Sequence, residues 1–166
     1  MTDDLDPIGE AKRQWLAHGW TDAADGMELV TSLVRVHQLL DERIDTVLRP
    51  LGLTFARFEV LRLLAFTRDG SMTMTRLGSL LQVHPASVTN AVDRLEAQGF
   101  ATRERSDHDR RVVRASVTDA GREIVDRATQ GLNKHVFSTL GLAETDVAAL
   151  TSVLTVYRRE AGDLTN

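Results

Sequence analysis

The sequence predicts a mainly α-helical chain that carries one small β-hairpin. Three observations lead there. Leu29, Leu33, Val36, Leu40, Ile44 and Val47 recur at spacings of 4, 3, 4, 4 and 3, which lays them along one face of a long helix. The same rhythm returns in Ile124, Val125, Ala128, Leu132, Val136 and Leu140, and again, past Gly141, in Val147, Leu150, Val153, Leu154 and Tyr157. Between these blocks, FATRER and VVRASVT alternate as strands do, around the polar stretch SDHDRR.

Composition sets the outer limits. A chain of 166 residues suits one domain or one compact subunit. Hydrophobic residues make up 42% and charged residues 27%, as in a soluble folded protein. No apolar run approaches the roughly 20 residues of a membrane span. The acidic start MTDDLDPIGEAK lacks the basic and apolar regions of a signal peptide, so no membrane partner and a cytoplasmic location are expected. There is no cysteine, which excludes disulfides, thiolate metal sites and sensing by thiol oxidation.

In chain order, residues 1–10 read as a loose tail and 10–20, with Trp15 and Trp20, as a short helix ending near Gly19. The long helix follows, capped by Asp22 or a neighbour and ended by Pro50 and Gly52. Thr54 caps a helix over Phe55–Phe66. MTM at 72–74 is at most an edge strand. Thr75 caps a short helix with Leu77, Leu80 and Leu81 inward. Val83 and His84 turn the chain, and Pro85 fits the first position of a helix to Gln98 that buries Val88, Ala91, Val92 and Leu95. Gly99 stops it. The hairpin comes next, and Thr118 starts the helix through Leu140.

A short helix, a tight turn with a second helix, and a charged hairpin make a winged helix-turn-helix, whose second helix enters the major groove of double-stranded DNA. With Val88 at the centre of the buried side, Asn90 falls opposite. Ser87 and Arg94 lie on one flank, Thr89 and Asp93 on the other. Asn can bond an adenine edge with donor and acceptor together, and Ser and Thr bond phosphates or bases. The helix N-terminus adds free N–H groups and a positive dipole end. Charge agrees: residues 54–118 hold ten Arg against seven acids, a local +3, while the remainder has ten basic and seventeen acidic residues, or −7. The whole chain favours Arg, with 18 Arg and two Lys, so the type of base is a general habit. Segment 103–114 holds five Arg and three acids, with Arg110 and Arg111 at its tip, suited to a narrow, negative minor groove. The plain alternative for each polar face is a solvated surface.

The stretch SVTNAVDRLEAQGFATRERSDHDRRVVRASVTDAGREI resembles the core of the MarR family of bacterial transcription regulators. The likeness lies in VDRLE-x-x-G, in Asp109-Arg110-Arg111, and in Val117-Thr118-x-x-Gly121, and extends loosely from about residue 27 to the C-terminus. It implies a single MarR-like subunit over 1–166, with a winged DNA-binding lobe at 54–118 and dimerisation helices at 10–50 and 119–163. The homodimer has independent support, because the helices at 23–49, 119–140 and 143–160 carry more apolar surface than one small lobe covers. Two-fold symmetry implies a pseudo-palindromic site with half-sites about one turn, roughly 10 bp, apart. The resemblance also puts Arg111 in the minor groove and makes Asp109 its wing-orienting acid, with Arg94 or Arg111 as partner. Many relatives carry a basic residue at the position of Asn90, so the bases read do not transfer.

By the same resemblance, a small aromatic ligand sits between the dimer helices and the lobe, where Trp15, Trp20, His37, Phe58 and Arg62 are candidates to line its cleft. Binding there favours a lobe spacing that releases DNA. Core packing for Phe58 and surface charge for Arg62 are the plain alternatives. The five His show no HExxH spacing, and loop charge accounts for Asp107-His108-Asp109 without a metal. No Walker loop, nucleophile elbow or Ser-His-Asp set is present, so no enzyme and no cofactor are expected. The expected function is a DNA-binding transcriptional regulator, a repressor released by a small molecule. The alternative is a winged-helix protein-interaction module that does not bind DNA.

Overall fold

The structure, a computed structural model, describes residues 6–105 and 112–164. Helix α1 spans Pro7–Ala17. The Asp6 carboxylate accepts the Ile8 N–H at 3.1 Å, and Pro7 occupies the first turn, where its missing N–H costs nothing. The expected loose tail to residue 10 is therefore corrected, since this cap starts the helix at Pro7. Helix α2 spans Thr21–Leu48. Asp22 does not cap it. It lies in the first turn, where its charge suits the positive helix end. Lys12 of α1 reaches Asp25 and Glu28 of α2, each at 2.7 Å, and folds α1 back along α2.

Only Ala24, Ile44 and Leu48 of α2 are buried. Leu29, Leu33 and Val36 share the periodic face but stay exposed, so the outer half of that face is uncovered within one chain. A 3-10 turn, Arg49–Leu51, and Gly52 at φ 70° end the helix and redirect the chain.

The lobe that follows is built on helix α3 (Phe55–Phe66), strand β1 (Ser71–Thr73), helix α4 (Met74–Leu81), helix α5 (Pro85–Ala97), and strands β2 (Ala101–Arg105) and β3 (Val113–Val117). The sheet is antiparallel in the order β1-β3-β2, so the expected hairpin gains a third, short edge strand. Phe58, Leu61 and Leu64 of α3 pack with Leu77, Val88, Val92, Leu95 and Ala115 in one core that continues onto Val125, Ala128 and Leu132. Two expectations for α4 are corrected. Thr73, not Thr75, is the cap, because β1 ends there and its hydroxyl accepts the Arg76 N–H at 3.2 Å. Leu80 is exposed, since so short a helix turns one narrow face inward and Leu77 and Leu81 occupy it.

Helix α6 spans Asp119–Leu132 rather than reaching Leu140. The chain widens into a π turn, Asn133–Phe137, and Arg43 of α2 donates to the carbonyls of His135 at 3.0 Å and Thr139 at 2.8 Å. A π turn weakens the regular ladder, and an outside guanidinium supplies the missing donors. Helix α7 (Glu144–Glu160) has no buried residue. No helix among the described residues is long and apolar enough to cross a membrane.

Candidate nucleic-acid interface

Helix α5 is prepared for exposure at its N-terminal end. Pro85 opens it, and His84 Nδ1 accepts the Ala86 N–H at 3.2 Å. Val88, Val92 and Leu95 are buried and anchor the inner face, while Ala91 is only half-buried. Ser87, Asn90 and Arg94 line a shallow notch whose other wall is Thr54, the cap of α3, with Ala56 and Arg57 of that helix. Thr89 lines a separate notch on the wing side, with Thr73, Thr75, Arg103 and Val113. Its hydroxyl donates to the Pro85 carbonyl at 3.1 Å, which leaves oxygen lone pairs as its outward chemistry. Two further helix starts, at Thr54 and Thr73, stand beside these notches and add positive dipole ends.

Arg57 was not among the sequence candidates. Its Nε donates to Thr54 Oγ1 at 3.2 Å and its Nη1 to Gln98 Oε1 at 3.1 Å, while Gln98 Nε2 donates to the Gly52 carbonyl at 2.9 Å. These bonds hold the guanidinium at the notch with donors to spare. Arg103 was also missed. It pairs with Asp93 at 2.7 Å and Glu96 at 3.2 Å, which neutralises both acids of α5 that would repel a phosphate. Arg94 makes no ion pair among the described residues.

At the wing's edge strand, the Asp69 carboxylate accepts the Ser71 N–H at 3.2 Å and pairs with Arg114 at 3.2 Å. The backbone hydrogen bond, with help from Arg114, holds its pKa below the usual carboxylate range. Arg110, Arg111 and Asp109 lie outside the described residues, as do Asp107 and His108.

The ligand candidates fall into separate groups. Trp15 and Trp20 meet edge to face with centroids 5.2 Å apart, and His18 stacks on Trp20. His37 is exposed and pairs with Asp41 at 3.3 Å. Phe58 is a core residue stacked on Phe55. Arg62 binds Asp126 at 2.7 Å and lies 5.2 Å from the centre of the Phe66 ring. Its buried Nε has no hydrogen-bond partner among the described residues.

This arrangement has counterparts. The family model described as MarR family matches residues 51–112. YkoM of Bacillus subtilis, an uncharacterized HTH-type transcriptional regulator, is 40% identical over 76 residues, 46% of this chain and 48% of YkoM. The multiple antibiotic resistance protein MarR of Escherichia coli is 30% identical over 121 residues, 72% of this chain and 83% of MarR. The chain belongs to the MarR family. The solved structure of Sco5413, a MarR family transcriptional regulator from Streptomyces coelicolor, superimposes with a TM-score of 0.76 at 37% identity, covering 86% of this chain and 99% of Sco5413. A cysteine-to-serine mutant of Escherichia coli MarR, complexed with operator DNA, superimposes with a TM-score of 0.71 at 27% identity, covering 81% of this chain and 96% of that one.

The shared motifs acquire physical reasons in this MarR-family chain. In VDRLE-x-x-G, Val92 and Leu95 are core, Asp93 and Glu96 hold Arg103, and Gly99 takes φ 75°. Thr118 caps α6 by accepting the Gly121 N–H at 3.0 Å and donates to the Gly99 carbonyl at 2.7 Å. Gly121 must be glycine because an added Cβ would overlap the Phe100 carbonyl.

Proposed function

We propose that this transcription regulator binds a pseudo-palindromic double-stranded DNA site as a homodimer and represses the genes it controls. The observation that carries this reading is the single notch formed by Ser87, Asn90 and Arg94 of α5 with Arg57 of α3. It combines a bidentate base reader with two cations and a helix start, the chemistry of groove recognition. The operator complex of Escherichia coli MarR, on the same fold, supports it. Thr89 serves the wing-side contact. Arg110 and Arg111, oriented by Asp109, are assigned to the flanking groove from the sequence. Residues 54–118 form the DNA-binding lobe. The flanking helices form the dimer seam, a reading supported by the exposed apolar residues Leu29, Leu33, Val36, Leu150, Val153 and Leu154.

Selection from random duplexes tests the proposal. It is expected to enrich a palindrome with half-sites about one helical turn apart. No enrichment at moderate salt would favour a winged-helix module for protein partners.

A second reading, release by a small aromatic anion, is favoured by Arg62. A ligand carboxylate displacing the exposed Asp126 would take the Arg62 guanidinium end that Asp126 now holds at 2.7 Å, and the Phe66 ring beside it, 73% exposed, offers a stacking face. Fluorescence of Trp15 and Trp20 across a panel of aromatic acids, with and without Arg62→Ala, tests this. A response that survives the substitution would remove Arg62 from the ligand site.

A further inference from the structure

Gln82 is the one non-glycine residue with positive φ, 54°, among the described residues. It ends α4 and begins the turn that delivers Pro85 to the start of α5. A glutamine has no backbone preference for this left-handed conformation, which L residues adopt at a cost. Its side chain is what distinguishes the position. Gln82 Nε2 donates to the Asp163 carbonyl at 2.6 Å, and Gln82 Oε1 accepts from Arg158 Nη2 at 2.9 Å.

Arg158 lies in the last turn of α7, and Asp163 three residues past its end. Arg158 Nε donates to the Asp163 carboxylate at 2.5 Å, which closes a triangle of three residues. The backbone beneath is pinned as well. Gly162, at φ 75°, donates its N–H to the Arg159 carbonyl at 3.0 Å, and the Asp163 N–H bonds the Arg158 carbonyl at 2.9 Å. This is the paired closure that ends many helices and sets the residue after it in one place.

Helix α7 otherwise lies open. It has no buried residue, and among the described residues its side chains form no hydrogen bond or ion pair to another element except at Gln82. A helix assigned to the dimer seam is therefore fastened to its own DNA-binding lobe at the turn that aims α5.

We propose that Gln82 and Arg158 are positioning residues: the Gln82–Arg158–Asp163 strut holds the helix-turn-helix turn in its reading pose and transmits the setting of α7 in the dimer to α5. The inference rests on the reading that α5 contacts DNA. The strut itself does not, so its two consequences separate. A loosened strut frees the turn in the absence of DNA, and it weakens the specific complex, which needs α5 aligned with base edges. Non-specific binding, which needs only charge near phosphate, is indifferent to it.

The test uses the full-length protein with Gln82→Ala, Arg158→Ala, the double variant and Gln82→Gly. Amide hydrogen exchange at Val83, whose N–H bonds the Gly78 carbonyl across this turn, is expected to quicken about three- to tenfold in the single alanine variants, as the loss of one or two hydrogen bonds implies. Amides in the buried stretch of α2, the melting midpoint and the dimer mass remain unchanged. Affinity for the selected operator is expected to fall by a similar factor, with affinity for a scrambled duplex unaltered. The double variant should be no worse than Gln82→Ala, because that substitution already removes both bonds of the strut to the turn, whereas Arg158→Ala leaves the bond from Gln82 to the Asp163 carbonyl. Gln82→Gly relieves the left-handed backbone and still loses operator affinity, which assigns the effect to the side chain. Unchanged exchange and operator affinity in Arg158→Ala, or additive losses in the double variant, would overturn the proposal. A wild-type protein that binds no duplex would instead overturn the DNA reading, and exchange at Val83 would still decide whether the strut holds the turn.

Discussion

Arg103 of β2 lies 2.7 Å from Asp93 of α5 and joins the wing to that helix across the lobe. The same guanidinium takes Glu96 at 3.2 Å. If α5 meets DNA as proposed, these two carboxylates on it would otherwise oppose the phosphate backbone. Arg103→Ala is expected to change stability little, by about 1 kcal/mol or less, because the pairs are partly exposed. It should weaken DNA binding about tenfold at low salt, with the deficit shrinking as salt screens the two freed acids. Anisotropy titrations over a salt series measure both. A deficit that does not depend on salt would show that Arg103 acts only by holding the wing in place.

Asn90 and Arg57 share one notch and are expected to fail differently. Asn90→Ala should cost about 1–3 kcal/mol at the selected operator and relax preference at one base position. Arg57→Ala should weaken all duplexes alike and make the salt slope shallower by about one unit, the signature of a lost phosphate contact. Repeating the duplex selection with each variant distinguishes them. An equal loss on every sequence for Asn90→Ala would make it a backbone contact.

Much of this was legible in the sequence because local rules govern it. Pro85, Gly99 and Thr118 punctuate the lobe by turn and cap chemistry, and Val88, Val92 and Leu95 turn Ser87, Asn90 and Arg94 outward by helical spacing alone. The failures are tertiary. Thr73 displaces Thr75 as a cap because β1 pairs with β3, which lies far along the chain. The π turn after Leu132 is stabilised by Arg43, a side chain from α2. Arg57 and Arg103 reach the site from α3 and β2, and no spacing within either element points toward α5. The long apolar faces of α2 and α7 were readable, but one chain does not cover them.

Gly121 is where α6 meets the end of α5 and the root of the wing. An added Cβ would overlap the Phe100 carbonyl and crowd a Val117 methyl, and that carbonyl is held in place by the Thr118 N–H at 3.1 Å. Backbone cannot swing aside as a side chain does. Gly121→Ala should therefore destabilise the fold by about 1–3 kcal/mol, despite the better helix propensity of alanine. Denaturant unfolding measures the change. Gly26→Ala in α2, where an added Cβ meets nothing within 4 Å, is the matched control and should be neutral or stabilising. Equal behaviour of the two variants would dismiss the close approach.

Asp69 gives the wing's base a pH dependence whose sign follows from its partners. The Ser71 N–H above all, with smaller help from the Asp69 backbone, the Thr67 side chain and last the Arg114 charge, favours the charged carboxylate and lowers its pKa in the folded protein. The unfolded chain therefore binds the proton first as pH falls. The contribution of Asp69 is complete above the ordinary carboxylate pKa of about 4 and is lost as pH drops through the lower folded value. Asp69→Asn should lower the melting midpoint at pH 7, and the gap to the parent protein should narrow steadily in acid. Because Arg114 also donates to Ser71 Oγ at 3.0 Å, it stays anchored to β1 in the variant, so the difference isolates the carboxylate. A gap that stays constant from neutral pH into acid would mean that charge at Asp69 plays no part in holding β1 to β3.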